Sequence, residues 1–176
     1  MKRKVGAVDG LGRGISLVEE MPDLKNGEIE VEVAASLISP GSELGSCGSR
    51  RKNPNHSISP RPIGYANAGI VTKIGSNVND FEIGQRVACM GAGYALHADR
   101  VNVPQNLSVV IPDKVTFEEA ASTHLAATAL HALRRTEPLF GEFGLIMGLG
   151  LVGQLCLQFG RLSGCHIAGM DKYTLR

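Results

Sequence analysis

The strongest chemical signal in the 176-residue sequence is Gly148-Leu149-Gly150-Leu151-Val152-Gly153, a G-x-G-x-x-G turn, followed eighteen residues after its last glycine by Asp171. Each position has a task. Gly148 permits a tight turn, Gly150 lets the backbone approach a diphosphate, and Gly153 lets the following helix pack closely on the preceding strand. The amides of Leu151 and Val152 then stand at a helix mouth, where unpaired N–H groups and the helix dipole attract negative charge. Asp171 is placed to accept hydrogen bonds from ribose hydroxyls and to repel a 2′-phosphate, which favours NAD over NADP as cofactor. The bland alternative is a structural glycine turn beside a solvated aspartate.

The elements around the turn support the first reading. The apolar run from 143 to 147 reads as a buried strand, 151 to about 163 as a helix, and 165 to 170 as a second buried strand. Ahead of them, Thr116-Phe117-Glu118-Glu119 is a capping box, predicting a helix from 117 to about 135 whose basic end, Arg134-Arg135, suits the dipole. Residues 1–112 read instead as short strands separated by turn residues. Ile29-Glu30-Val31-Glu32-Val33 alternates with period two, predicting a strand with one wet face. Residues 39–62, rich in Gly, Ser, Asn, Pro and Arg, read as a long surface loop.

Composition narrows the function. Eighteen Lys and Arg against seventeen Asp and Glu leave a net charge of +1 without a long basic cluster, so nucleic acid is not an expected partner. No apolar run reaches the roughly 18 residues of a membrane span, and no signal peptide opens the chain, which predicts a cytoplasmic protein away from membranes. Cys47, Cys89, Cys156 and Cys165 show no metal or disulfide spacing and read as free thiols, Cys47 standing apart in the polar loop.

The strand-rich front, the polar loop, the G-x-x-V-x-x-F-x-x-G-x-R-V run over residues 75–87 and the glycine turn occur in one order. In this the chain resembles the medium-chain dehydrogenase/reductase superfamily, which includes zinc alcohol dehydrogenases, polyol and threonine dehydrogenases, and zinc-free quinone oxidoreductases. The resemblance implies a mixed α/β chain. A GroES-like irregular β-barrel, the substrate domain, would occupy residues 1–112, and residues 113–176 would be the first part of an incomplete Rossmann domain, with the active site between them. It also implies a homo-oligomer of the full-length protein. Because the sequence stops after its second Rossmann strand, the rest of that sheet is expected from further chain or from another subunit.

Two departures from the family pattern concern zinc. Where zinc members carry a cysteine before the Gly-Ser/Thr-Asp/Glu stretch, this chain has Pro40, and where they carry Gly-His-Glu it has Gly64-Tyr65-Ala66. No four-cysteine lobe lies between Cys89 and His97. Catalytic zinc needs three protein ligands, so a zinc-free site is expected, and hydrogen-bond donors must polarise the substrate instead. Ser42 and Tyr65, at the family's relay and ligand positions, are the first catalytic candidates, and His124 is the next.

Each candidate has a structural alternative: Tyr65 as a half-buried aromatic, Ser42 as a turn hydroxyl bonded to backbone, His124 with Thr128 and His131 on one face of a core helix, and His97 as a solvated loop residue. A relocated zinc site would draw on Glu43, Cys47, His56 or His124. Three readings result. The first is an NAD-dependent, zinc-independent oxidoreductase acting on a small alcohol or carbonyl, polyols and sugars included. The others are a non-catalytic dinucleotide-binding protein of the same fold and a zinc dehydrogenase with displaced ligands.

Overall fold

A computed structural model describes residues 1–173. The chain divides into two compact units, Met1–Thr123 and the residues from His124 onward.

The first unit is antiparallel throughout. β1 (Lys2–Val8) pairs with β2 (Gly14–Glu20), and β3 (Glu28–Ser36) leads into α1 (Pro40–Lys52). A two-residue β4 (Arg61–Pro62) joins β1, giving the sheet order β2-β1-β4. A second sheet adds β5 (Ala66–Ile74), β6 (Arg86–Met90), β7 (Arg100–Pro104) and β8 (Ser108–Val110) in the order β7-β3-β5-β6-β8. An isolated bridge pairs Val5 of β1 with Ala98, just ahead of β7. Val5, Ile29, Val31, Val71, Val87, Val101 and Val103 fill the interior and are almost wholly buried. β-branched side chains suit this place, because a pleated surface restricts them little further.

The 75–87 run earns its pattern here. Phe81 is buried in the core, Val78 packs against it, and Arg86 opens β6 with its guanidinium over the Phe117 ring, 4.7 Å from the centroid. All four cysteines are free thiols, as expected. Cys47, however, is buried on α1 instead of standing in a polar loop. Burial pushes the Cys89 thiol up to about 11 against the opposing bond from Ser108, leaving it mostly protonated and unreactive near neutrality.

Several further expectations change. Residues 39–62 contain the thirteen-residue helix α1. Pro40 occupies its first turn, where its fixed φ suits the helix and its missing N–H costs no bond, while Glu43 near the start and Arg50, Arg51 and Lys52 at the end favour the dipole. Glu43 also reaches back to accept from the amide of the N-cap residue Ser39 at 2.6 Å, although Ser39 makes no side-chain cap of its own. The wet face expected of β3 is covered at Glu30, which is 4% exposed. Its carboxylate accepts from Lys73, Thr72 and Arg100.

Another change concerns the helix after Thr116. The capping box forms with both reciprocal bonds, but the helix breaks into α2 (Phe117–Ala120) and α3 (Thr123–Arg135). The Glu119 carbonyl takes both the amide and the hydroxyl of Ser122, tightening the chain into a turn. Ala120 and Ala121 pack on Ala68, Ala88 and Ile111, so α2 belongs to the first unit, which extends past the expected boundary at Pro112.

In the second unit, β9 (Phe143–Met147) and β10 (His166–Met170) pair in parallel through α4 (Leu151–Leu162), a βαβ unit of Rossmann type. Both strands were expected to be buried. Instead Phe143, Leu145 and Met147 point outward, while Gly144 and Ile146 on the other face are half-buried. On α3 the buried stripe is Leu125, Ala129 and Leu133, at helical spacing. No helix among the described residues is long and apolar enough to cross a membrane.

Candidate functional site

In the first unit, Ser42 and Tyr65 are brought together. Ser42 lies in the first turn of α1, and Tyr65 stands between β4 and β5. Gly64 sets the approach: its φ of +115° suits glycine, and a Cβ there would collide with the Leu96–His97 backbone. Ser42 and Tyr65 line a cavity of about 380 Å³, with Glu43, Arg50 and Arg61 among its other walls.

Behind that cavity is a pair the sequence reading did not connect. Glu43 is buried, and its Oε1 lies 2.8 Å from Nε2 of His97, whose Nδ1 is 2.9 Å from the Ser36 hydroxyl. His97 is thus a half-buried, doubly bonded imidazole, not a solvated loop residue. The two partners stand 54 residues apart, so no local pattern announces them.

The positions that would carry zinc ligands in zinc members of the superfamily hold Pro40, in the first turn of α1, and Tyr65. Among the described residues, no three or more His, Cys, Asp or Glu side chains converge as a metal site. Glu43, Cys47 and His56, the candidates in the first unit, do not form such a group. His124, the second residue of α3 and the first of the second unit, has its imidazole pushed toward the neutral form by burial. Its carbonyl accepts from the Thr128 hydroxyl at 3.0 Å, and Thr128 and His131 are exposed.

The glycine turn forms as its spacing predicts. Gly148 has a φ of +95° and donates its amide to Met170, binding the turn to the end of β10. Gly150 is the extended N-cap of α4, with no side-chain cap and no acidic residue in the first turn. The amides of Leu151, Val152 and Gly153 are the first of the helix and have no carbonyl four residues back within it. The helix itself thus supplies no side chain to offset its positive pole. Gly153 lies so close to Gly148 that an added Cβ would strike the Gly148 carbonyl.

Asp171 sits at this turn. Its Oδ2 accepts from the Leu149 amide at 2.7 Å and its Oδ1 from the Tyr173 amide at 3.0 Å. With Met147, Gly148, Met170 and Lys172 it lines a cavity of about 420 Å³. The residues fit a dinucleotide, with open amides for a diphosphate and a carboxylate beside them for a ribose. Lys172, which sequence reasoning passed over, brings a cation to the same wall.

No protein-family model matches the chain. Among curated proteins, a highly reducing polyketide synthase of Cladosporium cladosporioides is 37% identical over 159 residues, 86% of this chain and 6% of that protein. An NADPH-dependent alkenal/one oxidoreductase of Arabidopsis thaliana is 29% identical over 95% of this chain and 44% of its own length. The chain thus spans less than half of either relative. Among solved structures, the Escherichia coli quinone oxidoreductase complexed with NADPH superposes with a TM-score of 0.78 at 24% identity, over 99% of this chain and 54% of that one, a likeness of fold. With its antiparallel front unit, its 75–87 run and its glycine turn in that order, the chain belongs to the medium-chain dehydrogenase/reductase superfamily.

Proposed function

We propose that the protein is a nicotinamide-dependent oxidoreductase that interconverts a small alcohol and its carbonyl without catalytic zinc. The observation that carries this reading is the open mouth of α4, where Leu151, Val152 and Gly153 present amides beside the Asp171 carboxylate. A bound dinucleotide would supply or accept the hydride. The chain's own residues bind, orient and exchange the proton.

The helix-mouth amides hold the diphosphate, with Gly148 and Gly150 keeping side chains out of its path. Asp171 accepts from the adenosine ribose and disfavours a 2′-phosphate, which supports NAD. Lys172 on the same wall is the opposing charge, and NADPH is named for two of the similar proteins, so the balance between the two residues sets the preference.

With Pro40 and Tyr65 at the ligand positions, polarisation of the substrate oxygen falls to hydrogen-bond donors. The Tyr65 phenol donates to that oxygen and exchanges the proton as hydride moves, and the Ser42 hydroxyl shares the contact. His124, held toward its neutral form by burial, is the remaining candidate for proton exchange.

The test uses the complete protein that carries this chain. NADH and NADPH are titrated by nicotinamide fluorescence, metal is measured in the purified protein, and turnover is followed on alcohols, carbonyls, an alkenal and a quinone, the last two because of the similar proteins' names. Tight dinucleotide binding and turnover without stoichiometric metal are expected. Stoichiometric zinc, or no dinucleotide binding, overturns the proposal. Binding without any turnover favours the non-catalytic reading.

A further inference from the structure

We infer that the cavity holding Ser42 and Tyr65 is built for an anionic group, so that the substrate is a small carbonyl or hydroxy compound carrying a carboxylate or a phosphate monoester. This rests on reading that cavity as the substrate site.

The charges on its wall support the assignment. Arg50, in the last turn of α1, is half-buried, and its Nη1 donates to the carbonyls of Val8 at 2.7 Å and Asp9 at 2.9 Å. Those bonds fix the guanidinium in place, but both acceptors are neutral. Arg61 lies opposite Val8 in the β1–β4 pairing, which brings a second guanidinium to the same wall. Among the described residues, neither arginine forms an ion pair.

The nearby acids are committed elsewhere. Glu43, the acidic residue of the lining, is turned to His97 through Oε1 and to the Ser39 amide through Oε2. Asp9, whose backbone holds Arg50, uses its own carboxylate on the Arg13 side chain at 2.8 Å and on the amides of Leu11 and Arg13.

A partly desolvated cation is costly unless an anion compensates it. Here the half-buried guanidinium of Arg50 and the exposed one of Arg61 share a wall with the hydroxyls of Ser42, Ser49 and Tyr65. Guanidinium geometry matches the paired oxygens of a carboxylate or phosphate, and the hydroxyls supply further donors. A neutral polyol would leave the Arg50 charge without a counter-ion. The cavity volume, about 380 Å³, suits a compact metabolite.

Isothermal titration of the complete protein with malonate, with inorganic phosphate and with glycerol tests the assignment. Malonate or phosphate should bind and glycerol should not, and whichever anion binds identifies the oxyanion. Arg61→Gln removes a side chain with no hydrogen-bonding role among the described residues, and should weaken the anion roughly tenfold, the share of one charge-assisted bond. Arg50→Gln should weaken it at least as much, read beside its melting temperature because Arg50 also holds Val8 and Asp9. No binding of either anion, equal binding of glycerol, or binding unchanged by Arg61→Gln overturns the inference. Dinucleotide titration of the same sample separates the two claims. Dinucleotide binding without anion binding sinks this inference alone, and anion binding without dinucleotide binding sinks only the proposed function.

Discussion

Gly153→Ala is the sharpest probe of the dinucleotide cradle, because one added methyl group meets backbone on the far side of the turn. The new Cβ would lie 3.0 Å from the Gly148 carbonyl carbon, with the carbonyl oxygen nearer still, whereas ordinary contact begins at 3.4 Å. Neither partner is a side chain that could rotate away, so the first turn of α4 must retreat from the turn. Overpacking of this kind costs about 1–3 kcal/mol. A displacement on the order of 1 Å at a positioning site lowers catalysis about a hundredfold. The matching control is Gly148→Ala, where nothing lies within 4 Å and the penalty comes from the φ of +95° alone. Such strain costs on the order of 1–3 kcal/mol without pushing the helix away. Thermal unfolding and NADH fluorescence titration of both variants check this. Gly153→Ala should lose most dinucleotide affinity, and Gly148→Ala should lose stability with a smaller loss of affinity. If Gly153→Ala bound NADH as the parent does, the close approach would not be what shapes the cradle.

Three further outcomes are expected. Tyr65→Phe should lower kcat by about a hundredfold or more while leaving dinucleotide affinity unchanged, and an unaltered kcat would remove Tyr65 from the chemistry. Asp171→Asn keeps an oxygen for the Leu149 amide but loses the charge, so the preference for NAD over NADP should narrow roughly tenfold in paired titrations. An unchanged ratio would remove the case for NAD. Burial opposes ionisation of Glu30, but the bonds from Lys73, Thr72 and Arg100 prevail and hold its carboxyl below the ordinary value of 4.5. Its stabilisation is therefore complete above that value and is lost as pH falls through the lower folded one. Glu30→Gln should cost about 1–3 kcal/mol at neutral pH, less than a fully buried pair because Lys73 is more than half exposed, and should flatten the acid limb of a urea-midpoint profile.

The glycine turn was legible because its chemistry is local: six consecutive residues, a strand before, a helix after and an acid past the next strand. The capping box at Thr116 was legible for the same reason. Helix α1 was not, since its glycines and serines carry the composition of a loop. The signals that do mark it act by position, Pro40 through its fixed φ at the start and three basic residues through the dipole at the end, and composition does not reveal position.

The charged groups are harder, because sheet register decides their partners. Period two places Glu30 and Glu32 on one face of β3, yet Glu30 is buried and Glu32 is exposed. The difference is which neighbours lie across the sheet. Lys73 pairs opposite Glu30 on β5, and Arg100 on β7 reaches both carboxylates. A slip of one residue would turn these side chains to the other face and leave the acids without their bases. The same holds at the cavity, where Arg61 meets the wall shared with Arg50 because β4 pairs it with Val8. The charge that would choose a substrate is therefore fixed by strand pairing across half the first unit, while the turn that would choose a cofactor is written in six adjacent letters.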